Sequence, residues 1–513
     1  MNHVSSAFRF LVLASLSACA VDSPTSSTDE SESAMLTELT AQSISESSDE
    51  LATSKARIRI VHASAEAPAV DIYAVGSSTP AVVGIKFGET SPYLALPTGS
   101  YAFQVRVAGS SALQTPLYTT PVVKLETGKK YAAIAAGNPK FLHPSTAARA
   151  ASAFRVLALE ESYGPSAPHS ARVRIVHGSA DAPTVGIDLG DDDAKAPEVS
   201  ALNRFSTTDA AGVSLPAGQA LQVGIVAGGN KVTAFTTPAL PNGGNFLAIA
   251  VGQLGSVPNG QDTGRGVGLS LLVVGPSGSV GILRQNPLVY ALHASADAPS
   301  VDIFAGPARV YAGLSYGSLS TGVRLPPGNY NLDIYGAGGS ARPKGSSVFN
   351  FDTGALKAGE RYLAVANGFL VATDGEAAFN VAALSLKSPA ARSNESIVTF
   401  LHALPDAPFA SFYSAIPTGG SGYIAAKNVP FGGSFTGYPR LLQAAYNRTT
   451  LYVPAQSPLR FTGGIPESGF VVATGALTPF KEAPPRIITV DAGDISRGYN
   501  IPWVARSLSP VTH

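Results

Sequence analysis

Polar and apolar residues alternate along many short stretches of this chain. Residues 57–60, 101–107 and 330–334 each alternate with a period of two. This period is typical of a β-strand that buries one face and exposes the other. Glycine (52 residues) and proline (38 residues) are plentiful, as expected where turns separate many short strands. The pattern therefore predicts an all-β protein.

Two stretches, residues 131–136 and 362–366, are apolar on both faces, which predicts strands in the centre of a sheet. A closing strand is predicted near the end of each of four units, at 154–159, 267–274, 379–386 and 486–490. Roughly seven or eight short strands per unit predict an immunoglobulin-like β-sandwich. A Gly-x-Tyr sequence at the start of one strand also resembles the tyrosine corner of such folds.

The chain repeats itself four times. One string, with an apolar strand, a histidine, an acidic residue and a proline, recurs around His62, His177, His293 and His402. A second landmark begins 63 residues after each histidine, and such constant spacing indicates duplication of one folded unit. We predict β-sandwich domains at 55–162, 171–276, 286–388 and 395–492. Gly- and Pro-rich linkers are predicted near 162–171, 275–287 and 387–395, with a C-terminal tail at 493–513.

The N-terminus predicts export. Arg9 precedes an apolar stretch, 10–16, that is too short for a permanent membrane helix. Residues 16–19, Leu-Ser-Ala-Cys, resemble the lipobox of bacterial lipoproteins, so residues 1–18 would be the signal peptide. Cys19 would then carry acyl chains, and several chains together give stable anchoring. By resemblance to the sorting rule of many Gram-negative bacteria, Ala20 after the cysteine points towards the outer membrane. An ordinary signal peptide with an incidental cysteine is the alternative.

Residues 19–54 predict a disordered tether. They are rich in Ser, Thr, Asp and Glu, with few aromatic or β-branched apolar residues. Such a segment cannot bury enough apolar surface to offset the entropy of ordering the chain. The tether would hold the folded domains off a membrane. The expected localisation is therefore exported and lipid-anchored, at the outer membrane or the cell surface.

Composition excludes several functions. Lysine plus arginine equals aspartate plus glutamate, 35 each, so no overall positive field favours nucleic acid as a partner. Apolar residues make up 45% and charged residues 14%, which suffices for folded cores. Cys19 is the single cysteine, which excludes an intramolecular disulfide, thiolate zinc sites and cysteine nucleophiles in the folded part. No motif indicates a cofactor.

The recurring histidine is the strongest candidate for chemistry. His62 shares the phase of Ile58 and Ile60, so its side chain is predicted to point to the buried side. An acidic residue follows each of the four histidines by four positions: Glu66, Asp181, Asp297 and Asp406. We predict a structural hydrogen bond between histidine and carboxylate that holds the turn. A metal site is one alternative, although two ligands are too few. Catalysis is another.

Two further motifs occur in one repeat only. Residues 313–317 match the nucleophile-elbow pattern around Ser315, but no helical periodicity follows, and Lys86 occupies this position in the first repeat. Residues 191–193 are three aspartates with Asp188 nearby. They could bind calcium through oxygen ligands, but their spacing is not that of an EF-hand. We therefore predict a solvated loop.

A family resemblance follows from these strings. Val-His-Ala-Ser-x-Asp-Ala-Pro-x-Val-Asp and a later Leu-Pro-x-Gly-x-Tyr resemble a bacterial envelope family known as domain of unknown function 4397. The resemblance covers most of residues 55–492. It is specific in the first three repeats and weaker in the fourth, where Ser411 stands at the position of Asp71. It implies an exported β-sandwich and supplies no activity, ligand or catalytic residue.

The leading functional hypothesis is a non-enzymatic cell-surface lipoprotein whose tandem domains serve adhesion, envelope structure or ligand binding. The expected partners are the membrane, through the lipid anchor, and an unidentified envelope or surface macromolecule. One alternative is a glycan- or metal-binding module that scavenges small ligands. Another is a hydrolase active in a single repeat.

Overall fold

A computed structural model describes the chain in ten stretches. They are residues 55–141, 146–190, 195–253, 268–386, 397–415, 423–437, 448–466, 468–478, 483–492 and 502–511. The predicted signal peptide, Cys19 and the predicted tether lie outside them. Within the described stretches, no helix has both the length and the apolar character that crossing a membrane requires. The folded part is all-β and consists of four β-sandwiches in tandem.

The first sandwich contains ten described strands. Their bounds are β1 Ala56–His62, β2 Val70–Ala74, β3 Val82–Ile85, β4 Leu94–Leu96, β5 Gly99–Tyr101, β6 Phe103–Val107, β7 Tyr118–Thr119, β8 Val123–Leu125, β9 Lys130–Ala136 and β10 Arg155–Glu160. One sheet has the order β10-β9-β1-β4 and the other β3-β2-β6-β7, while β5 and β8 form a separate ribbon. A short helix, α1 (Ala147–Ser152), precedes β10.

The second sandwich has the bounds β11 Ser170–His177, β12 Val185–Leu189, β13 Val199–Leu202, β14 Val213–Pro216, β15 Gln222–Ala227, β16 Asn230–Thr236, β17 Asn245–Val251, β18 Ser270–Gly275 and β19 Gly278–Leu283. Its sheets have the orders β14-β11-β17-β18-β19 and β13-β12-β15-β16. β19 lies within residues 275–287, which we predicted as a linker. It is a strand instead, because Val280 and Leu283 are buried in the core of this sandwich.

The third sandwich has the bounds β20 Leu288–His293, β21 Val301–Ala305, β22 Ala308–Leu314, β23 Val323–Arg324, β24 Gly328–Gly336, β25 Phe349–Leu356, β26 Arg361–Asn367 and β27 Asn380–Ser385. Its sheets have the orders β23-β20-β26-β27 and β22-β21-β24-β25. Tyr330 Oη donates to Pro326 O over 2.7 Å, and Tyr101 Oη donates to Pro97 O over 2.9 Å in the first sandwich. These bonds have the geometry of a tyrosine corner.

The fourth sandwich has the bounds β28 Ile397–Ala403, β29 Phe409–Ala415, β30 Tyr423–Pro430, β31 Ser434–Gly437, β32 Arg448–Tyr452, β33 Leu459–Thr462, β34 Ser468–Thr474, β35 Arg486–Asp491, β36 Val504–Ser507 and β37 Ser509–Pro510. Its sheets have the orders β31-β28-β34-β35-β36 and β30-β29-β32-β33-β37. The stretch 493–513, predicted as a tail, thus supplies an edge strand to both sheets.

One sheet of each sandwich, here called the inner sheet, contains a parallel pair of strands: β1/β9, β11/β17, β20/β26 and β28/β34. The recurring histidine lies opposite an alanine in each pair: Ala135, Ala250, Ala366 and Ala473. This alanine follows the histidine by 73 residues in three repeats and by 71 in the fourth. The constant 63-residue spacing is therefore wrong as a structural register for the fourth repeat, where Gly469 takes the place of Tyr131.

The inner sheet is buried on both faces. In the first sandwich, Ile58 and Ile60 pack into the core between the two sheets of the sandwich. Val61 and Ile134 are fully buried on the opposite face. The other sheet, here called the outer sheet, keeps the alternation of buried and exposed residues expected of one solvent-facing side. The prediction of central strands with two apolar faces is confirmed for β9 and β26.

The second buried face packs against the neighbouring sandwich. Val61, Ala132 and Ile134 of the first sandwich form one apolar cluster with Leu247 and Ile249 of the second. The inner sheets of the third and fourth sandwiches form a similar cluster, in which Leu292, Val365, Phe470 and Ile488 are fully buried. Burial of this apolar surface stabilises each pair by the hydrophobic effect. The sandwiches are therefore packed in pairs, the first with the second and the third with the fourth.

Trp503 packs between the two sandwiches of the second pair. Its ring is 5% exposed and stacks on Tyr290 of the third sandwich, with ring centroids 4.4 Å apart and planes 8° apart. It also contacts Phe470 of the fourth sandwich at 5.6 Å. The tryptophan therefore lies between the last two domains and contacts both.

A buried ion pair lies between the two sandwiches of the first pair. Arg59 Nε donates to Glu161 Oε2 over 3.1 Å, a second bond joins Nη2 to Oε1, and both side chains are 3% exposed. Arg59 Nη1 also donates to Gly275 O of the second sandwich over 2.6 Å. The Arg59 side chain thus binds both Glu161, which follows β10, and the strand β18 in the inner sheet of the second sandwich.

The strand β15 explains an irregularity in the second repeat. The sequence places Ala220 at the position of Tyr101 and gives Leu221 and Val223 the opposite phase. In the structure Val223 lies opposite Leu189, as Phe103 lies opposite Ala74 in the first repeat. One extra residue before β15 therefore restores the phase, and Leu221 takes the position of the tyrosine.

Removal of Arg59 is expected to be costly. Arg59→Ala leaves Glu161 buried without its cation, which should lower the free energy of unfolding by about 3–5 kcal/mol. The double variant Arg59→Met, Glu161→Leu should recover most of this loss, because apolar residues of similar volume can replace a buried ion pair. Denaturant unfolding of the three proteins measures both effects. A double variant as unstable as the single one would contradict this account.

Candidate functional site

Each recurring histidine lies in the first strand of its inner sheet, either as the last residue of that strand or one residue before its end. His62, His293 and His402 are fully buried, and His177 is 2% exposed. Each Nε2 lies within hydrogen-bond distance of a main-chain carbonyl in the next turn: 3.0 Å from Pro68 O, 2.8 Å from Pro183 O, 3.0 Å from Pro299 O and 2.9 Å from Ala407 O. Because a carbonyl oxygen only accepts, Nε2 carries the proton.

A second turn holds the main chain of each histidine. In the first repeat, His62 N donates to Glu89 O and Gly88 N donates to His62 O, both over 2.9 Å. The same two bonds join His177 to Ser206 and Phe205, His293 to Ser318 and Gly317, and His402 to Gly433 and Gly432. An aromatic ring of this turn lies edge-on to the imidazole in three repeats: Phe87, Tyr316 and Phe431. Each histidine therefore joins two turns at one end of the sandwich.

The predicted bond between histidine and acid is wrong. The Nε2 atoms bond to the carbonyls described above, and within the described stretches Nδ1 of His62, His177 and His293 has no hydrogen-bond partner. In the fourth repeat, Leu404 N lies 3.3 Å from His402 Nδ1. The acid lies four residues after the histidine, but the acceptor of the Nε2 proton is a main-chain carbonyl one or two residues beyond the acid.

The acidic residues hold a different loop. Asp297 accepts from Leu370 N and Val371 N over 2.7 and 2.9 Å. Asp406 accepts from Leu477 N and Thr478 N over the same two distances. Asp181 accepts from Ser179 Oγ over 3.2 Å, and Glu66 is half-buried at the equivalent place. In the third and fourth repeats the acid thus fixes the loop that follows the parallel partner strand.

A serine two residues after the histidine was missed by the sequence analysis. Ser64, Ser179 and Ser295 are buried, and each Oγ donates to a glycine carbonyl 73 residues later. The acceptors are Gly137, Gly252 and Gly368, at 2.6, 2.9 and 2.7 Å. The recurrence of serine in the His-x-Ser string was the available signal. Its partner could not be read from sequence, because the parallel pairing brings the two together.

The aspartate at the end of the repeated string was also missed. Asp71 accepts from Gly84 N over 2.7 Å and from Gly109 N over 2.9 Å. Asp302 accepts from Gly313 N over 2.7 Å and from Gly338 N over 3.2 Å. These bonds fix an irregular pairing in the outer sheet, where Gly84 has a positive φ of 65°. The aspartate is therefore a structural residue of the outer sheet.

The environment of the histidines makes them unsuited to acid–base catalysis. Burial lowers the pKa of His62, His177 and His293, and it lowers the pKa of His402 to about 4. The imidazoles are therefore neutral at neutral pH. Their Nε2 protons are used inside the fold, and the rings do not reach solvent. This arrangement can hold two turns together, and it offers no accessible base.

The candidate nucleophile Ser315 lies in the turn after β22. Ser315 Oγ is 3.4 Å from Ser318 Oγ, and Ser318 Oγ donates to Ser315 O over 2.5 Å. The chain then continues to β23 and forms no helix, which a nucleophile elbow requires. Because Gly317 binds His293 O as Gly88 binds His62 O, Ser315 is the counterpart of Lys86.

The acidic loop lies only partly within the described residues. Asp188 is buried at the end of β12, whereas residues 191–193 lie outside the described residues. Among the residues that are described, no group of three or more His, Cys, Asp or Glu side chains is placed to hold a metal ion. The metal alternative for the histidine and acid therefore lacks a third ligand within those stretches.

The comparisons with known proteins identify a family. A profile of a domain of unknown function (DUF4397) matches residues 37–188 and 287–452, which together exceed half of the chain. This chain belongs to the DUF4397 family. The two matched regions fall on different pairs of sandwiches, as expected for a repeated DUF4397 domain. The family description assigns no activity.

No curated protein matches the chain. Among solved structures, the chain is similar to the Bacillus anthracis TIE protein, with 12% sequence identity and a TM-score of 0.12. That match covers 61% of this chain and 50% of the other, so the chain spans about half the length of that protein.

The histidine bond can be tested by substitution. His62→Ala removes the buried imidazole that donates to Pro68 O and is expected to lower the free energy of unfolding by about 1–3 kcal/mol. His62→Gln is the matched control, because its amide can still donate near the position of Nε2. Denaturant unfolding should show a smaller loss for the glutamine variant. Equal stability of His62→Ala and the wild type would contradict the structural role.

The buried histidines also predict acid sensitivity. An unfolded histidine titrates near pH 6.5, whereas burial holds the folded pKa lower, and for His402 at about 4. Between these values the unfolded state binds more protons, so stability falls as the pH falls from about 6.5 towards 4. Each histidine contributes at most about 1.4 kcal/mol per pH unit.

Denaturant unfolding at several pH values measures this loss, and the His402→Gln variant should show a shallower fall than the wild type. The same slope in both proteins would exclude His402 as a source of acid sensitivity.

Proposed function

We propose that this protein is a non-enzymatic cell-surface lipoprotein that presents paired β-sandwiches for adhesion, envelope structure or ligand binding. The observation that carries the proposal is the use of the recurring polar residues. The histidines, the serines and the aspartates at 71, 297, 302 and 406 all bond to the main chain within their own repeat. A repeat whose recurring polar groups hold turns is suited to a scaffold.

The packing of the sandwiches supports the same proposal. Each pair buries its inner sheets, so the outer sheets and the loops remain for contacts with partners. An assembly of this kind can carry binding surfaces on several sides without large internal motion. The lipobox-like sequence at residues 16–19 would supply the anchor, and residues 20–54 would supply the distance from the membrane.

A second candidate function is a module that captures glycans. One observation favours it: the fourth sandwich exposes Phe409 and Tyr452 beside neutral polar side chains, in a depression of its outer sheet. This candidate is compatible with the first, because a surface lipoprotein can present a ligand site.

Lipid attachment is the most direct test of the proposed localisation. Cells that express the full chain should incorporate labelled palmitate into the wild type and not into Cys19→Ala, because the thiol is the predicted acceptor. The variant should also leave the membrane fraction. Ser17→Ala is the matched control, since it changes a neighbouring residue and keeps the thiol. Equal labelling of wild type and Cys19→Ala would refute lipidation at this residue.

A further inference from the structure

The fourth sandwich has a depression on its outer sheet that the common fold does not explain. It lies where β29, β30 and the end of β32 meet and has a volume of about 380 Å³. This volume is within the range of small-ligand sites. The lining residues are uncharged: Phe409, Ser411, Asn428, Tyr452, Val453 and Pro454.

Two aromatic rings border the depression. Phe409 is 48% exposed and Tyr452 is 46% exposed, so both side chains are accessible to a ligand. Tyr413 lies edge-on to Tyr452, with ring centroids 6.3 Å apart and planes at 87°. The Tyr452 ring is therefore held in place and presents a preformed apolar face.

Polar groups lie between the rings. Asn428 N donates to Ser411 Oγ over 2.9 Å, and Ser411 Oγ lies 3.3 Å from Asn428 Oδ1. These bonds fix the Asn428 side chain. Asn428 Nδ2 and Tyr452 Oη make no hydrogen bond to any other residue in the described part of the chain. The depression thus offers one amide donor and one hydroxyl to a ligand.

The equivalent place carries a structural hydrogen bond in the first and third repeats. There Asp71 and Asp302 stand at the position of Ser411, and each uses its second carboxylate oxygen to hold a glycine of the neighbouring loop. The residue before β2 and β21 is small, Ala69 or Ser300, where the fourth repeat carries Phe409 at the start of β29. In the fourth repeat, an exposed aromatic ring and uncharged polar side chains therefore stand where the other repeats have a structural contact.

The residue that lies opposite the Ser411 position on the neighbouring strand also differs between the repeats. Arg106 lies opposite Asp71 and Tyr335 lies opposite Asp302, and both are 6% exposed. Tyr452 lies opposite Ser411 and is 46% exposed. The drift of the fourth repeat, which the sequence showed as a loss of signature residues, has therefore produced a surface that the first and third repeats lack.

We propose that this depression binds a neutral pyranose unit of an oligosaccharide. A sugar ring has an apolar C–H face that packs on an aromatic ring, and hydroxyl groups at its edge that both donate and accept. Tyr452 and Phe409 supply the ring faces, and Asn428 supplies the polar contact. The absence of charge in the lining disfavours phosphate and acidic sugars. The inference deepens the ligand-binding part of the proposed function and rests on it.

Calorimetric titration of the full chain, purified in detergent, tests the site. The probes are neutral hexasaccharides of glucose and of N-acetylglucosamine, with a sialylated oligosaccharide and a proline-rich peptide as comparisons. At least one neutral hexasaccharide should bind, and Tyr452→Ala should weaken it by about tenfold or more. Phe435→Ala is the matched control, because Phe435 is 47% exposed in the same sandwich and does not line the depression.

Asn428→Gly provides a second variant that should fold normally. Asn428 has a φ of 50°, and glycine stands at the equivalent positions 84 and 313, so the backbone tolerates the change while the amide is lost. This variant should also lose about tenfold in affinity. Thermal melting of each variant verifies folding.

Three outcomes would overturn the inference. The first is no binding of any neutral hexasaccharide. The second is binding that Tyr452→Ala and Asn428→Gly leave unchanged. The third is binding of the proline-rich peptide alone, lost in Tyr452→Ala, which would assign the depression to a peptide. None of these results affects palmitate labelling at Cys19, so failure of this site and failure of the proposed localisation are distinguishable.

Discussion

The whole structure depends on an inner sheet that is apolar on both faces. One face of β9 closes its own sandwich through Tyr131 and Ala133, and the other face, with Ile134, meets the second sandwich. A strand with two apolar faces is stable only when both are covered. This requirement makes the pair of sandwiches, and not the single repeat, the unit that covers both faces of each inner sheet. The buried Arg59–Glu161 ion pair and the stacked Trp503 lie at the edges of these shared faces.

The histidine turn follows from the same sheet. Each histidine lies opposite a partner-strand alanine, where the parallel pair ends and the chain must leave the sheet. The imidazole in all four repeats, the serine in the first three and the acid in the third and fourth tie the turns at this end to one another. Neutral, buried imidazoles suit that role because they donate a hydrogen bond without the cost of burying a charge.

Local patterns made the β-class, the repeats and the two-faced strands predictable, because period-two alternation and repeated strings depend only on neighbouring residues. Contacts set by the parallel register were not predictable in the same way. Ser64 reaches Gly137, and Asp406 reaches Leu477, across about 70 residues of sequence. The acid was therefore assigned to the nearest histidine. The strand β19 was taken for a linker because residues 275–281 are rich in glycine, serine and proline, whereas the burial of Val280 and Leu283 depends on tertiary packing. The aromatic depression was missed because Ser411 and Tyr452 become neighbours only across β29 and β32.

Native-state hydrogen exchange on the full chain, comparing the wild type with Ile134→Ala, tests the pairing most directly. Ile134 is fully buried between the first two sandwiches, and its truncation removes contacts on both sides. The account predicts that β9 in the first sandwich and β17 and β18 in the second lose protection together. Loss of protection confined to the first sandwich would show that the two sandwiches are independently stable, which would contradict the account.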